Sequence, residues 1–298
     1  MILIDDTKLI KIFCDLDDFC LQYQQWQRQK ALSEGQLVSP AGRPSRLSES
    51  EILTLLVVYQ LSGMKNFKYF YQKAKPALLS YFPGLVSYNR FVECIARQWP
   101  LLWLFGLYQC RHSERSGIYI IDSKKLPVCD IARIGSHKVF KHWASCGKSS
   151  TGWFYGLKLH LVINHKGEVV NFLLTSASKA DNNHQVIKYL LSDLQGKCFG
   201  DKGYLTQLFE WFYQKGLHLV TKMRKNMKKL PYPLQDAILL RKRGLIESIN
   251  DILMTVFDVE HTRHRKPENA IAHILASLVA YNYMEKKPSL EKAFTRMN

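Results

Sequence analysis

Two acidic residues follow apolar runs in a pattern that could carry chemistry. Asp122 closes the run 118–121, and Asp201 closes the run 197–200. An apolar, β-rich run closed by an acid predicts a buried strand that delivers a carboxylate to its end. A carboxylate in that position is costly unless a cation or hydrogen-bond donors meet it, so it has either a structural hydrogen-bonding role or a metal to bind. Asp122 alone favours the structural role, whereas a second such acid favours a site.

A third carboxylate would have to come from the helix predicted over residues 241–257. Glu247 lies roughly opposite Ile249 on a helical wheel, so the apolar stripe alone predicts that Glu247 faces solvent. Asp251, one turn later on the same polar face, competes for the role. An ordinary solvated helix face is the third interpretation, and periodicity does not choose among the three.

Three carboxylates in one site repel one another, and cations relieve that repulsion. Oxygen ligands without paired cysteines or clustered histidines suit Mg²⁺ or Mn²⁺. Two such ions about 3.5 to 4 Å apart can stabilise both the attacking and the leaving oxygen of a phosphodiester displacement. The acids therefore predict metal-dependent chemistry on phosphodiesters, with two ions in the site.

A basic run lies between the second and third acids. It places eight positive charges in 22 residues, with only Asp236 against them. Binding of a phosphate backbone is the natural use of such a run, and a solvated loop is the alternative. The eight residues are Lys222, Arg224, Lys225, Lys228, Lys229, Arg241, Lys242 and Arg243.

Composition and charge agree with a nucleic-acid partner. The 298 residues, 47% of them hydrophobic, can bury the core of one or two globular domains. The net charge is +17, of which residues 1–113 carry only +4 because 13 Lys and Arg face 9 Asp and Glu there. The excess belongs to the region of Asp122, and it favours nucleic acid over membrane as the partner. A merely basic surface is the alternative.

Other features of the sequence indicate the cellular compartment of the protein. No apolar run reaches the roughly 18 residues that a membrane span requires, and the N-terminus is acidic where a secretory signal would be basic. The seven cysteines are scattered, which predicts reduced thiols. We expect a cytoplasmic, nucleoid-associated protein.

The first part of the chain reads as short helices. Periodicity predicts helices over 7–30 and 66–82, the second interrupted at Pro76, and a capping box at Ser48 and Glu51 begins another that stops at Gly63. Residues 33–46 read as a loop. Ser87 caps a fourth helix, opened by Tyr88, Asn89 and Arg90. The helices around residues 83–84 suit either a helix-turn-helix or plain packing, and packing is favoured.

The pattern changes after Asp122. Residues 153–163 and 169–174 predict an antiparallel hairpin turning at 165–167. Helices are predicted over 183–194 and 206–215, and strands over 197–200 and 217–221. This order predicts a mixed sheet flanked by helices, in which the ends of two neighbouring strands can lie together. The prediction therefore divides the chain at residue 113, into a helical region 1–113 and a catalytic domain 114–298.

Four stretches in this part resemble the successive motifs of the DDE transposases of bacterial insertion sequences. They are YIIDS at 119–123, GWFYGLKLH at 152–160, GDKGY at 200–204 and RGLIES at 243–248, with the acids 79 and 46 residues apart. The resemblance implies a mixed α/β fold with a ribonuclease H-like core, and Asp122, Asp201 and Glu247 as the metal-binding catalytic triad. It also implies that Arg243 lies near the DNA end. Met254 stands where many relatives have lysine.

The resemblance implies a transposase that cuts at the ends of its own element and transfers the 3′-hydroxyl to target DNA. Its partners would be the terminal repeats, target DNA and further copies of the chain. A ribonuclease H-like nuclease without strand transfer and an inactive DNA-binding regulator are the alternatives. The helical region 1–113 would bind the element's end or mediate dimerisation.

Overall fold

The structure is a computed structural model that describes residues 5–35, 45–149, 152–204, 206–222, 232–260 and 264–291. Most of the loop predicted over 33–46 lies outside the described residues, as do Arg224, Lys225, Lys228 and Lys229. All seven cysteines are free thiols, as predicted. None of the helices in the described ranges is long and apolar enough to cross a membrane.

Helices alone precede a six-stranded sheet with its own helices. Single turns or short irregular helices occupy Ile131–Arg133, Lys202–Tyr204 and Ile252–Val256. The regular elements, in chain order, are α1 (Asp6–Ser33), α2 (Glu49–Leu61), α3 (Phe67–Leu78), α4 (Tyr88–Ile95), α5 (Trp99–His112), β1 (Ile118–Cys129), β2 (Ser145–Ser149), β3 (Gly152–Asn164), β4 (Val169–Ser176), α6 (His184–Leu191), β5 (Gly196–Gly200), α7 (Phe209–Gln214), β6 (Leu217–Thr221), α8 (Leu234–Arg241), α9 (Gly244–Asp251) and α10 (Pro267–Asn282).

Two compact units divide the chain. One comprises Met1–Gly106 and Arg263–Met284, and the other comprises Leu107–Thr262 and Glu285–Asn298. Helix α10, which lies beyond the predicted boundary at residue 113, therefore belongs to the unit of the first helices. The assignment of DNA binding to one part and catalysis to the other stays a prediction.

The helical unit is built around α2 and α10. The predicted capping box is confirmed, because Ser48 and Glu51 exchange side-chain-to-backbone hydrogen bonds. Nearly every residue of α2 is buried, as expected of a helix that is apolar all round. Its Gln60 lies 2.9 Å from Nδ1 of His273 on α10, so a buried polar contact joins the two helices.

Two expectations for these helices were wrong. Among the described residues, five helices rather than four precede β1, because the apolar run after residue 99 forms α5. Pro76 does not interrupt α3, which continues past it to Leu78. The first helix is confirmed, because α1 covers the predicted range 7–30 and extends slightly beyond both of its ends.

The sheet is mixed, as predicted. Its strands run in the order β2, β3, β1, β5 and β6, with β4 paired to β3. The hairpin of β3 and β4 is confirmed, and β3 also pairs antiparallel with β1. Strand β5 pairs parallel with both β1 and β6. The short strands β5 and β6 closely match their predicted ranges, 197–200 and 217–221.

Helices cover the sheet on both faces. On one face, Tyr119, Ile121 and Cys198 pack with the apolar sides of α6 and α7. Lys197 alternates to the other face and forms a 2.7 Å ion pair with Asp236 of α8, whose side chain is only 2% exposed. The negative charge of Asp236 is therefore paired with Lys197 and not with a cation of the basic run.

The structure corrects the predicted ends of several elements. β1 does not end at Asp122 but continues to Cys129, because antiparallel pairing with β3 extends along the strand after parallel pairing with β5 ends at Ile120. The helix predicted over 241–257 is instead α8, α9 and a wider turn, since Gly244 is a poor helix former. Helix α7 is shorter than predicted, and β2 was missed. Strand β3 is buried on both faces rather than alternating.

Candidate active site

Asp122 lies within β1, and Asp201 directly follows the neighbouring strand β5. The two strands pair parallel from Ile118 with Lys197 to Ile120 with Phe199, and this pairing ends two residues before each acid. Parallel neighbours run in the same direction, so both acids follow the paired segment at the same end. That the two carboxylates lie together stays a prediction.

Gly200 stands where there is little room for a side chain. A Cβ atom at this position would lie 3.1 Å from Cγ2 of Ile121 and 3.2 Å from Cβ of Tyr204. Those contacts are tighter than most side chains make, so a larger residue would require Ile121 and Tyr204 to shift. Asp201 itself closes the next turn, because its carbonyl accepts the backbone N–H of Tyr204 at 2.9 Å.

Glu247 reaches Asp122 through a shared arginine. Arg243, whose side chain is 13% exposed, places Nη1 3.8 Å from Asp122 Oδ1 and Nη2 3.4 Å from Glu247 Oε1. The Glu247 side chain is 62% exposed, as the helical wheel predicted, and yet it lies near Asp122. Asp251 is also exposed, while its neighbour Asn250 approaches Asp122 with Nδ2 3.4 Å from Oδ2.

The carboxyl group of Asp122 is held in an unfavourable place for a negative charge. Burial raises its pKa from 3.8 to about 6, and the nearby carboxylates of Asp181 and Glu247 add to the rise. Arg243 and the backbone N–H of Ser123 act in the opposite direction, but they do not offset burial. A further cation beside Asp122 would therefore lower the energy of the ionised group.

Asp181, which the sequence analysis did not single out, belongs to the same neighbourhood. Its Oδ1 accepts hydrogen bonds from Ser123 Oγ at 2.8 Å and from Lys158 Nζ at 3.1 Å. The signal that could have found it is Lys158, a lysine in the centre of an apolar strand, which requires a partner acid elsewhere in the chain.

One buried polar atom beside these acids, Oδ1 of Asn250, has no hydrogen-bond partner among the described residues. The hydroxyl of Tyr204 is buried nearby. Burial and the carboxylates of Asp122 and Asp181 raise the pKa of Tyr204 well above its usual range, while a hydrogen bond with Ser123 acts in the opposite direction. Buried polar groups in proteins are nearly always satisfied, so the Asn250 oxygen indicates room for a polar ligand or water.

The donor set fits a hard divalent cation. It consists of carboxylate oxygens, with the unsatisfied amide oxygen of Asn250 close by, and it contains no thiolate. Within the described ranges, no three His, Cys, Asp or Glu side chains are gathered closely enough to form a ready metal cage. The fit therefore rests on donor chemistry and on the unfavourably buried charge of Asp122, with Arg243 providing positive charge between two of the acids.

The described part of the basic run contains exposed cations and one largely buried arginine. Lys222 follows β6 and is exposed, as are Arg241 and Lys242 at the end of α8. Arg243 is instead largely buried against Asp122 and Glu247. The run therefore contributes both exposed cations and one cation inside the site.

The candidate reading surface in the helical unit lies at the start of α4. Ser87 caps this helix as predicted, and Asn89 and Arg90 are exposed. Arg90 forms a 2.8 Å surface ion pair with Glu93. A cleft of about 920 Å³ opens beside them and is lined by residues that include Arg46, Arg97 and Gln98.

Comparison with known proteins gives one match. A protein-family model described as "Transposase DDE domain" matches residues 112–267, which is just over half of the chain. Comparisons with the curated proteins and with the solved structures gave no match. The matched range includes Asp122, Asp201 and Glu247, together with the basic run between the last two.

Proposed function

The chain belongs to the family of transposase DDE domains, and on that premise we propose that it is the transposase of an insertion sequence. It would cut phosphodiester bonds at the ends of its element and transfer the freed 3′-hydroxyl to target DNA. The observations that carry the proposal are the parallel β1–β5 pairing, which both Asp122 and Asp201 follow at the same end, and the arginine, Arg243, that Asp122 shares with Glu247.

We assign Asp122, Asp201 and Glu247 as the acids that hold Mg²⁺ or Mn²⁺. Two ions bound there would stabilise charge on both the attacking and the leaving oxygen of the displacement. Asp122 lies in β1 and Asp201 directly follows β5, so the parallel pairing of these two strands would hold the two acids near each other. Glu247 comes from α9, whose contact with β1 sets its distance from the other two.

Two observations support Glu247 rather than Asp251 as the third acid. Glu247 contributes to the raised pKa of Asp122, and it shares Arg243 with Asp122. The mixed sheet with helices on both faces and acids on two adjacent strands also supports a ribonuclease H-like core for this unit.

DNA would be held by phosphate contacts around these acids. Lys222, Arg241 and Lys242 are exposed cations of the basic run that ends at Arg243, and Lys225, Lys228 and Lys229 belong to the same run in sequence. Such contacts supply affinity without reading sequence. Arg243 would neutralise charge between the acids and lie close to the DNA end.

Recognition of the element's end is proposed for the helical unit. Asn89 and Arg90 are exposed at a helix start, the place from which helix-turn-helix proteins read base edges. Pairing of two ends would bring two copies of the chain onto one complex, so a homo-oligomer on DNA is part of the proposal.

One experiment separates the proposal from its alternatives. The purified protein is incubated with a labelled end of its element, Mg²⁺ and a target plasmid. We expect cleavage at the end and a joined product that contains both the label and the plasmid. Cleavage without joining would indicate a nuclease, and binding without cleavage would indicate a regulator.

Alanine variants then test the assigned acids. Asp122→Ala, Asp201→Ala and Glu247→Ala should each abolish cleavage and leave DNA binding largely intact, because metal ligands act on the chemical step while affinity comes mostly from phosphates. Asp251→Ala is the matched control, one turn from Glu247 on the same helix. Activity in the Glu247 variant together with loss in the control would refute the assignment of the third acid.

A further inference from the structure

Lys158 is a cation in the interior of the sheet unit. Its side chain, on the central strand β3, is only 8% exposed. Nζ donates to Asp181 Oδ1 at 3.1 Å and to the carbonyl of Lys179 at 3.0 Å. A buried ammonium is tolerated only with such partners, so Lys158 fixes the 179–181 segment against the sheet.

Ser123 joins this ion pair to Asp122. Its hydroxyl donates to the same Oδ1 of Asp181 at 2.8 Å. Ser123 directly follows Asp122 on β1, so the backbone positions of the two residues are fixed together. Successive side chains of a strand point to opposite faces, so the Ser123 side chain lies on the face of α6 and α7 while the Asp122 side chain lies on the other face. Ser123 therefore connects its contact with Asp181 on one face to Asp122 on the other.

We propose that Asp181 is a positioning residue that, held by Lys158, fixes Ser123 and thereby holds the adjacent Asp122 in place for metal binding. The inference rests on the proposed function and deepens it. Neutralising Lys158 would not by itself require the hydrogen bond that Asp181 also accepts from the Ser123 hydroxyl. Residues around the metal ligands hold those ligands in place, and removing one weakens metal affinity or activity about 10- to 100-fold.

The test measures Mn²⁺ binding to the full chain by calorimetry without DNA, and cleavage of a labelled element end across a Mg²⁺ titration. The variants are Asp181→Asn, Ser123→Ala and the double variant. Ser123→Ala removes one hydroxyl and keeps the backbone N–H, so it decides the question even if the Asp181 variant does not fold. Asp193→Asn, the same chemical change at an exposed acid of this unit, is the control.

Both single variants should bind Mn²⁺ about 10-fold or more weakly than the wild type. The double variant should be no weaker than Asp181→Asn, because the two residues act along one path. Cleavage should recover towards the wild-type rate at high Mg²⁺, which a merely unfolded protein would not do. The control should match the wild type.

Wild-type Mn²⁺ affinity in Ser123→Ala would overturn the inference, and a large loss confined to Asp181→Asn would make Asp181 a ligand or a structural residue instead. Failure of the proposed function has a different signature. A wild-type protein that binds Mn²⁺ without cleaving the element's end would refute the transposase assignment. The Mn²⁺ affinities of the variants, measured by calorimetry, would still test the role of Asp181. A wild type that does neither would overturn both.

Discussion

Asp122→Asn should stabilise the metal-free protein at neutral pH while destroying its activity. Burial raises the pKa of Asp122 from 3.8 to about 6. A raised pKa means that the folded state holds the proton more tightly than the unfolded state, so stability is present below pH 3.8 and is lost as pH rises through about 6. Asparagine keeps the shape of the side chain and removes the charge that causes this loss.

The size of the effect follows from the pKa difference. A difference of about two powers of ten in acid dissociation, at about 1.4 kcal/mol each, gives a cost of about 3 kcal/mol above pH 6. The pKa of about 6 already includes the attraction of Arg243, which lies 3.8 Å from the Asp122 carboxylate, so this attraction is not subtracted again. We therefore expect a net gain of about 3 kcal/mol in the free energy of unfolding.

Urea unfolding in EDTA between pH 4 and pH 8 measures this difference. The gap between variant and wild type should be near zero at pH 4, grow through pH 5 and 6, and level off above pH 7. Asp193→Asn should show no such gap. With Mn²⁺ at 100 times its dissociation constant, the wild type alone should gain about 2.7 kcal/mol. The reasoning would be refuted if the variant were no more stable than the wild type at pH 7. It would also be refuted if the difference in free energy of unfolding between the two did not change with pH.

Two further predictions concern DNA. Neutralising Lys225, Lys228 and Lys229 should flatten the salt dependence of binding, since removing each phosphate contact takes about 0.9 from the slope of log affinity against log salt; an unchanged slope would show that the run is a solvated loop. Asn89→Ala and Arg90→Ala should reduce the preference for the element's end by about 1 to 3 kcal/mol for each base that is no longer read, with a smaller effect on random DNA. Competition binding measures that preference, and an undiminished preference would leave the helices a packing or dimerisation role.

Point changes test the helical unit better than truncation does. Removing residues 1–113 would strip the partners from α10, whose residues from Asn269 to Tyr281 are buried within this unit. The Arg90–Glu93 pair is exposed and screened by solvent, so it contributes little to stability. Changing Arg90 therefore perturbs recognition with little risk to the fold.

Sequence signals were sufficient where the determinants are local. The capping box at Ser48, the turn between β3 and β4, and the short strands β5 and β6 each depend on residues adjacent in sequence. The length of β1 does not, because it depends on pairing with β3, a strand distant in sequence. Lys158 and Asp181 likewise meet only because the β3–β4 hairpin and the segment after it fold back together.

Glu247 shows most clearly why periodicity alone could not choose between Glu247 and Asp251 as the third acid. Arg243, Glu247 and Asn250 are spaced four and three residues apart, which places them on one stripe of a helix. The apolar stripe of α9 packs beneath, so the wheel correctly put Glu247 on the polar face. That face borders β1, however, because α9 begins anew after α8 and carries Asn250 to within 3.4 Å of Asp122. A polar helix face therefore indicates exposure to solvent only when no other element lies beside it. The break at residues 242–243 separates α9 from α8, which lets α9 take a direction of its own beside β1.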